Sequence, residues 1–110
     1  MTQVSTSEDA VYSSLGCDPD LGSVVTCFVQ ALPNRIAGIL EKASAADWGS
    51  LRIMAHQLKG AGGSYGFASI SPAAARIEDA IVGQQPEEAI RTAVDDLADL
   101  CRRVRSGGPD

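Results

Sequence analysis

Four stretches of this sequence repeat apolar residues at spacings of three and four, and proline or glycine punctuates them. That periodicity buries one stripe of an α-helix and cannot line one face of a strand. In the first stretch the stripe is Leu21, Val24, Val25, Phe28, Val29, Leu32, Ile36, Ile39 and Leu40. Asp18-Pro19-Asp20 ahead of it supplies an N-cap, a proline at the first helical position and an acid in the first turn. Pro33 removes one N–H inside the segment and crowds the carbonyl of Val29, which predicts a kink or a break into two helices.

Ser44 and Asp47 fit the reciprocal capping pattern, so a second helix is expected from near Ala45 to near Gly66, with Leu51, Met54, Ala55, Leu58, Ala61 and Tyr65 on its core side. Ser71-Pro72 opens a third, with Ile77, Ala80 and Ile81 inward and Gly83 as its stop. Pro86-Glu87-Glu88 opens a fourth, striped by Ile90, Ala93, Val94, Leu97, Leu100, Cys101 and Val104, and Arg102, Arg103 and Arg105 suit its C-terminal end. No convincing strand is expected. Four amphipathic helices on short connections can hide their apolar faces together by packing as an antiparallel four-helix bundle, here over residues 18–105. Residues 1–17 are expected to be partly ordered or to hold a short helix around Glu8 to Leu15 ended by Gly16, and residues 106–110 to be disordered.

Composition excludes several functions. A net charge of −5 disfavours nucleic acid, whose binding depends on clustered Lys and Arg. Cys17, Cys27 and Cys101 are odd in number and form no CxxC pair, which suits reduced thiols rather than a disulfide framework or a zinc site. Cys27 and Cys101 fall among apolar residues at helical spacing, where a thiol behaves as a small hydrophobe. Nothing resembles a run of about 18 apolar residues, and MTQVSTSEDA lacks the basic and apolar regions of a signal peptide. A cytoplasmic protein that touches no membrane is expected.

The chemistry concentrates in AHQLKGAGGSYGF, residues 55–67, which hold the one histidine of the chain, His56. At roughly 100° per residue, Leu51, Met54, Leu58, Ala61, Gly62 and Tyr65 lie opposite His56, whereas Gly49, Arg52, Ile53, Lys59, Gly60 and Gly63 surround it. The imidazole therefore points away from the core. A metal site would need two or three further ligands that this composition supplies badly. Ser64, about 80° round the helix and roughly 12 Å along it, does not complete a hydrolytic pair. An exposed imidazole outside both roles can still act as a nucleophile. Three glycines within a helix cost it about 3 kcal/mol relative to alanine. Gly62 faces inward, where close packing of a neighbouring helix accounts for it. Gly60 and Gly63 face outward, where a bare surface lets another protein approach His56. Ile53 is a candidate apolar anchor for that partner, and Trp48 either packs at the helix start or borders the docking surface.

His56-Gln57-Leu58-Lys59-Gly60, continued by Ala61-Gly62-Gly63-Ser64-Tyr65-Gly66, resembles the motif of histidine phosphotransfer (HPt) domains, roughly H-x-L-K-G followed by an apolar or aromatic residue and a glycine. The likeness extends over about residues 18–104. It implies a four-helix bundle that carries a phosphoryl group between receiver domains in multistep two-component signalling. By that resemblance His56 is the phosphoacceptor, Lys59 lies near the phosphoryl group, and Gly60 and Gly63 leave room for the receiver. The partners implied are the receiver domains of a hybrid sensor histidine kinase and of a response regulator. The chain itself would work as a monomer with no cofactor and no kinase domain, because the receiver brings the acidic cluster and Mg²⁺. Arg52, one turn before His56, is a candidate helper or docking residue. Two other readings stand beside this one: an interaction module that docks a receiver or kinase without carrying phosphate, and a small enzyme using His56 as acid or base. The module is expected to have lost the histidine, and the enzyme lacks a companion carboxylate, serine or cysteine at a usable spacing.

Overall fold

The computed structural model describes residues 10–16 and 18–105. Each periodic stretch forms one helix: α1 (Gly22–Ser44), α2 (Trp48–Ser64), α3 (Ile70–Val82) and α4 (Glu87–Arg102). Each helix packs on the next in sequence, and α4 returns against α1, which closes an up-and-down bundle. Val25, Phe28, Leu32 and Ile39 of α1 meet Leu51, Ala55 and Leu58 of α2, Ile70, Ala74 and Ile77 of α3, and Ile90, Val94 and Leu97 of α4 in one core. Burying each large aliphatic side chain contributes roughly 1.5–3 kcal/mol, enough to outweigh the weak helix propensity of a glycine-rich segment.

Several helix boundaries differ from expectation, and at Ser71 the cause is a partner on another helix. The Asp18 carboxylate accepts from the N–H groups of Asp20 and Leu21, but it caps a turn, and the regular helix begins only at Gly22. Ser44 closes α1 instead of capping α2, and Asp47 alone caps α2 by accepting from Ser50 N–H at 3.2 Å. Ser71 is no cap either. It lies in the first turn of α3 and donates its hydroxyl to the Lys59 carbonyl at 2.7 Å, tying α3 to α2. Pro33 does not break α1, which runs through it unbroken.

Exposure corrects parts of the α1 stripe. Leu21, Val24 and Leu40 are exposed, and so is Cys27, which therefore does not behave as a core hydrophobe. Cys101 does: burial pushes its thiol up to about 12. Cys17 lies outside the described residues. By length and composition alone α1 is apolar enough to cross a membrane, a test that the core helix of a soluble protein also passes. Its buried residues pack into the shared core, as those of a central bundle helix do.

The N-terminal segment is not helical where it is described. Val11–Tyr12 forms a strand, β1, which pairs in parallel with β2 (Val104–Arg105) just beyond α4. Val104 thus leaves the helical stripe and stays buried in a strand. Two effects favour the extended form: Val and Tyr suit a pleated backbone, and the N–H of Val11 finds the Arg103 carbonyl at 2.7 Å. The expected helix residues before Ala10 and the tail 106–110 lie outside the described residues. After β1 the chain crosses the C-terminal end of α2. Ser14 N–H donates to the Gly66 carbonyl at 3.0 Å, and the Ser13 hydroxyl donates to the Tyr65 carbonyl. Beneath this crossing Phe28 stacks on Tyr65 with ring centroids 4.9 Å apart.

Gly66 makes the crossing possible. Its φ is +82°, and a Cβ there would lie 2.5 Å from Ser13 Oγ and 2.8 Å from Ser14 Oγ. Gly66→Ala is therefore expected to destabilise the protein by about 2 kcal/mol or more, since strain in the left-handed region adds to the collision. Chemical denaturation of the variant against wild type checks this, and an unchanged midpoint would contradict the assignment.

Candidate functional site

His56 sits on the outer face of α2, with its side chain 63% exposed. Its position follows from the core stripe: Leu51, Ala55, Leu58 and Gly62 are buried against the bundle, and a residue opposite that stripe must face water. Gly49, Arg52, Ile53, Gly60 and Gly63 are exposed on the same side, and Lys59 is half-buried. All the residues that the sequence grouped around His56 thus share its surface. Ile53 is 52% exposed, an apolar side chain on the outer face of α2.

The glycines divide by environment. A Cβ on Gly62 would come within 2.9 Å of Ile70 Cγ2, so its absence lets the start of α3 approach α2. A Cβ on Gly60 or Gly49 would meet nothing within 4 Å. Gly63 is exposed, but its outer face is not wholly bare, because a Cβ there would lie 3.4 Å from Ser71 Oγ. Trp48 packs against the core at the start of α2, with the Arg91 guanidinium 5.5 Å from its ring centroid, so of its two expected places the structural one is observed.

One member of the cluster was missed by sequence reasoning. Glu78 on α3 reaches across to α2, placing Oε2 3.0 Å from His56 Nδ1 and Oε1 3.0 Å from Lys59 Nζ. Its side chain is only 15% exposed, so it lies between the two helices and beneath the two cations or potential cations it joins. The hydrogen bond from Lys59, seconded by that from His56, holds the Glu78 carboxyl below its usual range against the opposing effect of burial. An ionised carboxylate only accepts hydrogen bonds, so the proton in the His56 contact belongs to Nδ1. The signal was available in principle. Phe67 stands midway in sequence between His56 and Glu78, and an antiparallel helical hairpin turning there sets the two side by side. The companion carboxylate absent at local spacing is thus supplied by the neighbouring helix.

Among the described residues no group of three or more His, Cys, Asp or Glu side chains is arranged to hold a metal ion. The cluster offers an accessible ring nitrogen, one adjacent ammonium group and an open flank.

Those features on an up-and-down bundle define the class of all-helical histidine phosphotransfer modules. Comparison with known families agrees: the Hpt domain model matches residues 23–107, most of the chain, and the protein belongs to that family. No curated protein and no solved structure gives a match. Hpt domains serve histidine phosphotransfer in two-component signalling, exchange phosphate with receiver domains and contain no kinase domain of their own.

Proposed function

We propose that this protein is a phosphocarrier: His56 takes a phosphoryl group from the aspartyl phosphate of one receiver domain and passes it to the aspartate of another in a multistep phosphorelay. The observation that carries this reading is a water-facing imidazole whose flank at Gly60 and Gly49 is open. In the forward step a ring nitrogen lone pair attacks phosphorus. The bond from phosphorus to the aspartyl oxygen breaks, its electron pair leaves with the carboxylate, and an N–P bond forms. Such a transfer depends on in-line positioning and charge neutralisation, and the receiver contributes the acidic cluster and Mg²⁺. This protein contributes a nucleophile that is held still and a surface a receiver can reach.

Lys59 lies one turn from His56 and offsets the charge brought by the phosphoryl group. Arg52 serves docking. The working unit is the bundle of residues 18–105, acting as a monomer in the cytoplasm, where thiols such as Cys101 remain reduced. The partners are the receivers of a hybrid sensor kinase and of a response regulator. A labelled, phosphorylated receiver should lose its label to this protein, and a second, unphosphorylated receiver should then draw it off. Binding of the receiver with no movement of label would establish the non-phosphorylated docking module instead.

Lys59→Ala is expected to slow transfer by roughly tenfold without abolishing it, because a neighbouring cation stabilises charge but forms no bond to phosphorus. Arg52→Ala should slow it less. Quenched-flow transfer rates check both, and wild-type rates for both variants would remove the electrostatic role.

A further inference from the structure

Five large apolar side chains stand exposed among the described residues: Leu21, Val24, Leu40, Ile53 and Val82. Their distances from His56 set them apart. We infer that Val82, at the C-terminal end of α3, is a docking residue for the receiver domain, which leans over α3 as well as α2 and away from the apolar start of α1. The inference rests on the phosphocarrier reading and deepens it by fixing how the partner sits.

A standard interface covers about 800 Å² of each partner, a disc of about 16 Å radius. Transfer requires the reacting groups to be enclosed, so His56 lies well inside that disc. Glu78 marks the level of α3 that meets α2, since its carboxylate reaches His56 and Lys59 at 3.0 Å each. Val82 follows Glu78 by four residues, one turn, and so lies on the same side of α3. Because α3 runs antiparallel to α2, that turn sets Val82 level with Arg52 and Ile53. Packed helix axes are about 8–10 Å apart and a turn rises about 5.4 Å, which puts Val82 about 12 Å from His56. It is 65% exposed, the most exposed of the five. Ile53, three residues before His56, lies nearer still.

The other three fall outside the disc. Phe28 of α1 stacks on Tyr65, which stands about 13.5 Å along α2 from His56. Gly38 of α1 meets Met54, so α1 runs antiparallel to α2 and its start lies beyond Tyr65. Val24 and Leu21 are therefore about 6 Å and 10 Å further again from His56. Leu40 lines the seam between α1 and α4 with Pro33, Ala98 and Cys101, away from α2 and α3. The large apolar contacts within reach are thus Ile53 on α2 and Val82 on α3. Lys59 meets Glu78 of α3, and Arg52, seven residues earlier, shares its stripe, so the cations that suit the acidic cluster of a receiver stand on the α3 side of α2 as well.

Val82→Gln places a good helix former at an exposed position, and Val24→Gln is the matched control on α1. With a receiver that loads His56, Val82→Gln should slow transfer roughly tenfold, the loss of one buried valine contact, and Val24→Gln should leave it within about twofold. Both variants should take phosphate from phosphoramidate at the wild-type rate and melt within a few degrees of wild type. Amide NMR shifts on adding an unphosphorylated receiver should spread from His56 to Ala75, Asp79 and Val82 of α3, and not to Leu21 and Val24. Wild-type transfer by Val82→Gln, or a footprint over Leu21 and Val24 in place of α3, overturns the inference and leaves the phosphocarrier reading intact. A receiver that covers α2 and α3 but moves no label does the reverse, upholding the docking geometry and removing the relay.

Discussion

His56→Gln is expected to abolish acceptance of phosphate from a receiver while leaving the bundle folded. Glutamine has no ring nitrogen to form an N–P bond, so the loss should be complete, beyond the partial slowing expected at Lys59. The fold should survive because the imidazole is 63% exposed and its partner Glu78 keeps its contact with Lys59. A cooperative thermal transition within a few degrees of wild type is expected, with no label transferred in the same preparation. A variant that unfolds, or that still becomes phosphorylated, contradicts the assignment.

Gly60→Gln should separate docking from stability, two properties that fail together when a substitution merely damages a fold. A Cβ at Gly60 would meet nothing within 4 Å, and the residue has no positive φ, so the helix can accept a side chain there. Replacing glycine by a better helix former should stabilise α2 by several tenths of a kcal/mol. The same side chain stands within about a turn of His56, across the surface over which a receiver must bring its aspartate. Transfer from a receiver should fall by tenfold or more, roughly the effect of losing a well-placed approach. Phosphorylation by phosphoramidate should change little, because that donor needs no protein surface. A much lower melting temperature would show that Gly60 serves the fold, and full receiver transfer would show that the open flank has no docking role. Gly63 is the poorer test, since Ser71 already borders it.

Much of this architecture was legible in the sequence because helical periodicity is a local property. The stripe through Leu51, Ala55 and Leu58 sufficed to place His56 outside and Gly62 inside, and both positions are observed. The misreadings share a cause, competition from partners distant in sequence. Ser71 resembles an N-cap, but the Lys59 carbonyl on the neighbouring helix takes its hydroxyl. Val11 and Tyr12 fall in a stretch that permits a helix, yet the end of α4 offers them a ladder. Glu78 is the most consequential case. Its local sequence assigns it no role, and its meaning emerges only once the α2–α3 hairpin sets it against His56 and Lys59. Leu21, Val24 and Leu40 show the opposite limit: the stripe of α1 is wider than the core it meets.

The central claim is that His56 carries the phosphoryl group in a relay. It is tested most directly by incubating the protein with a phosphorylated receiver, isolating it, and locating the phosphate by peptide mapping under alkaline conditions. A phosphohistidine is labile in acid and stable in base. The account predicts one such modification, at His56, which disappears again when an unphosphorylated receiver is added. Label that stays on the first receiver, survives acid, or maps to a serine would contradict it.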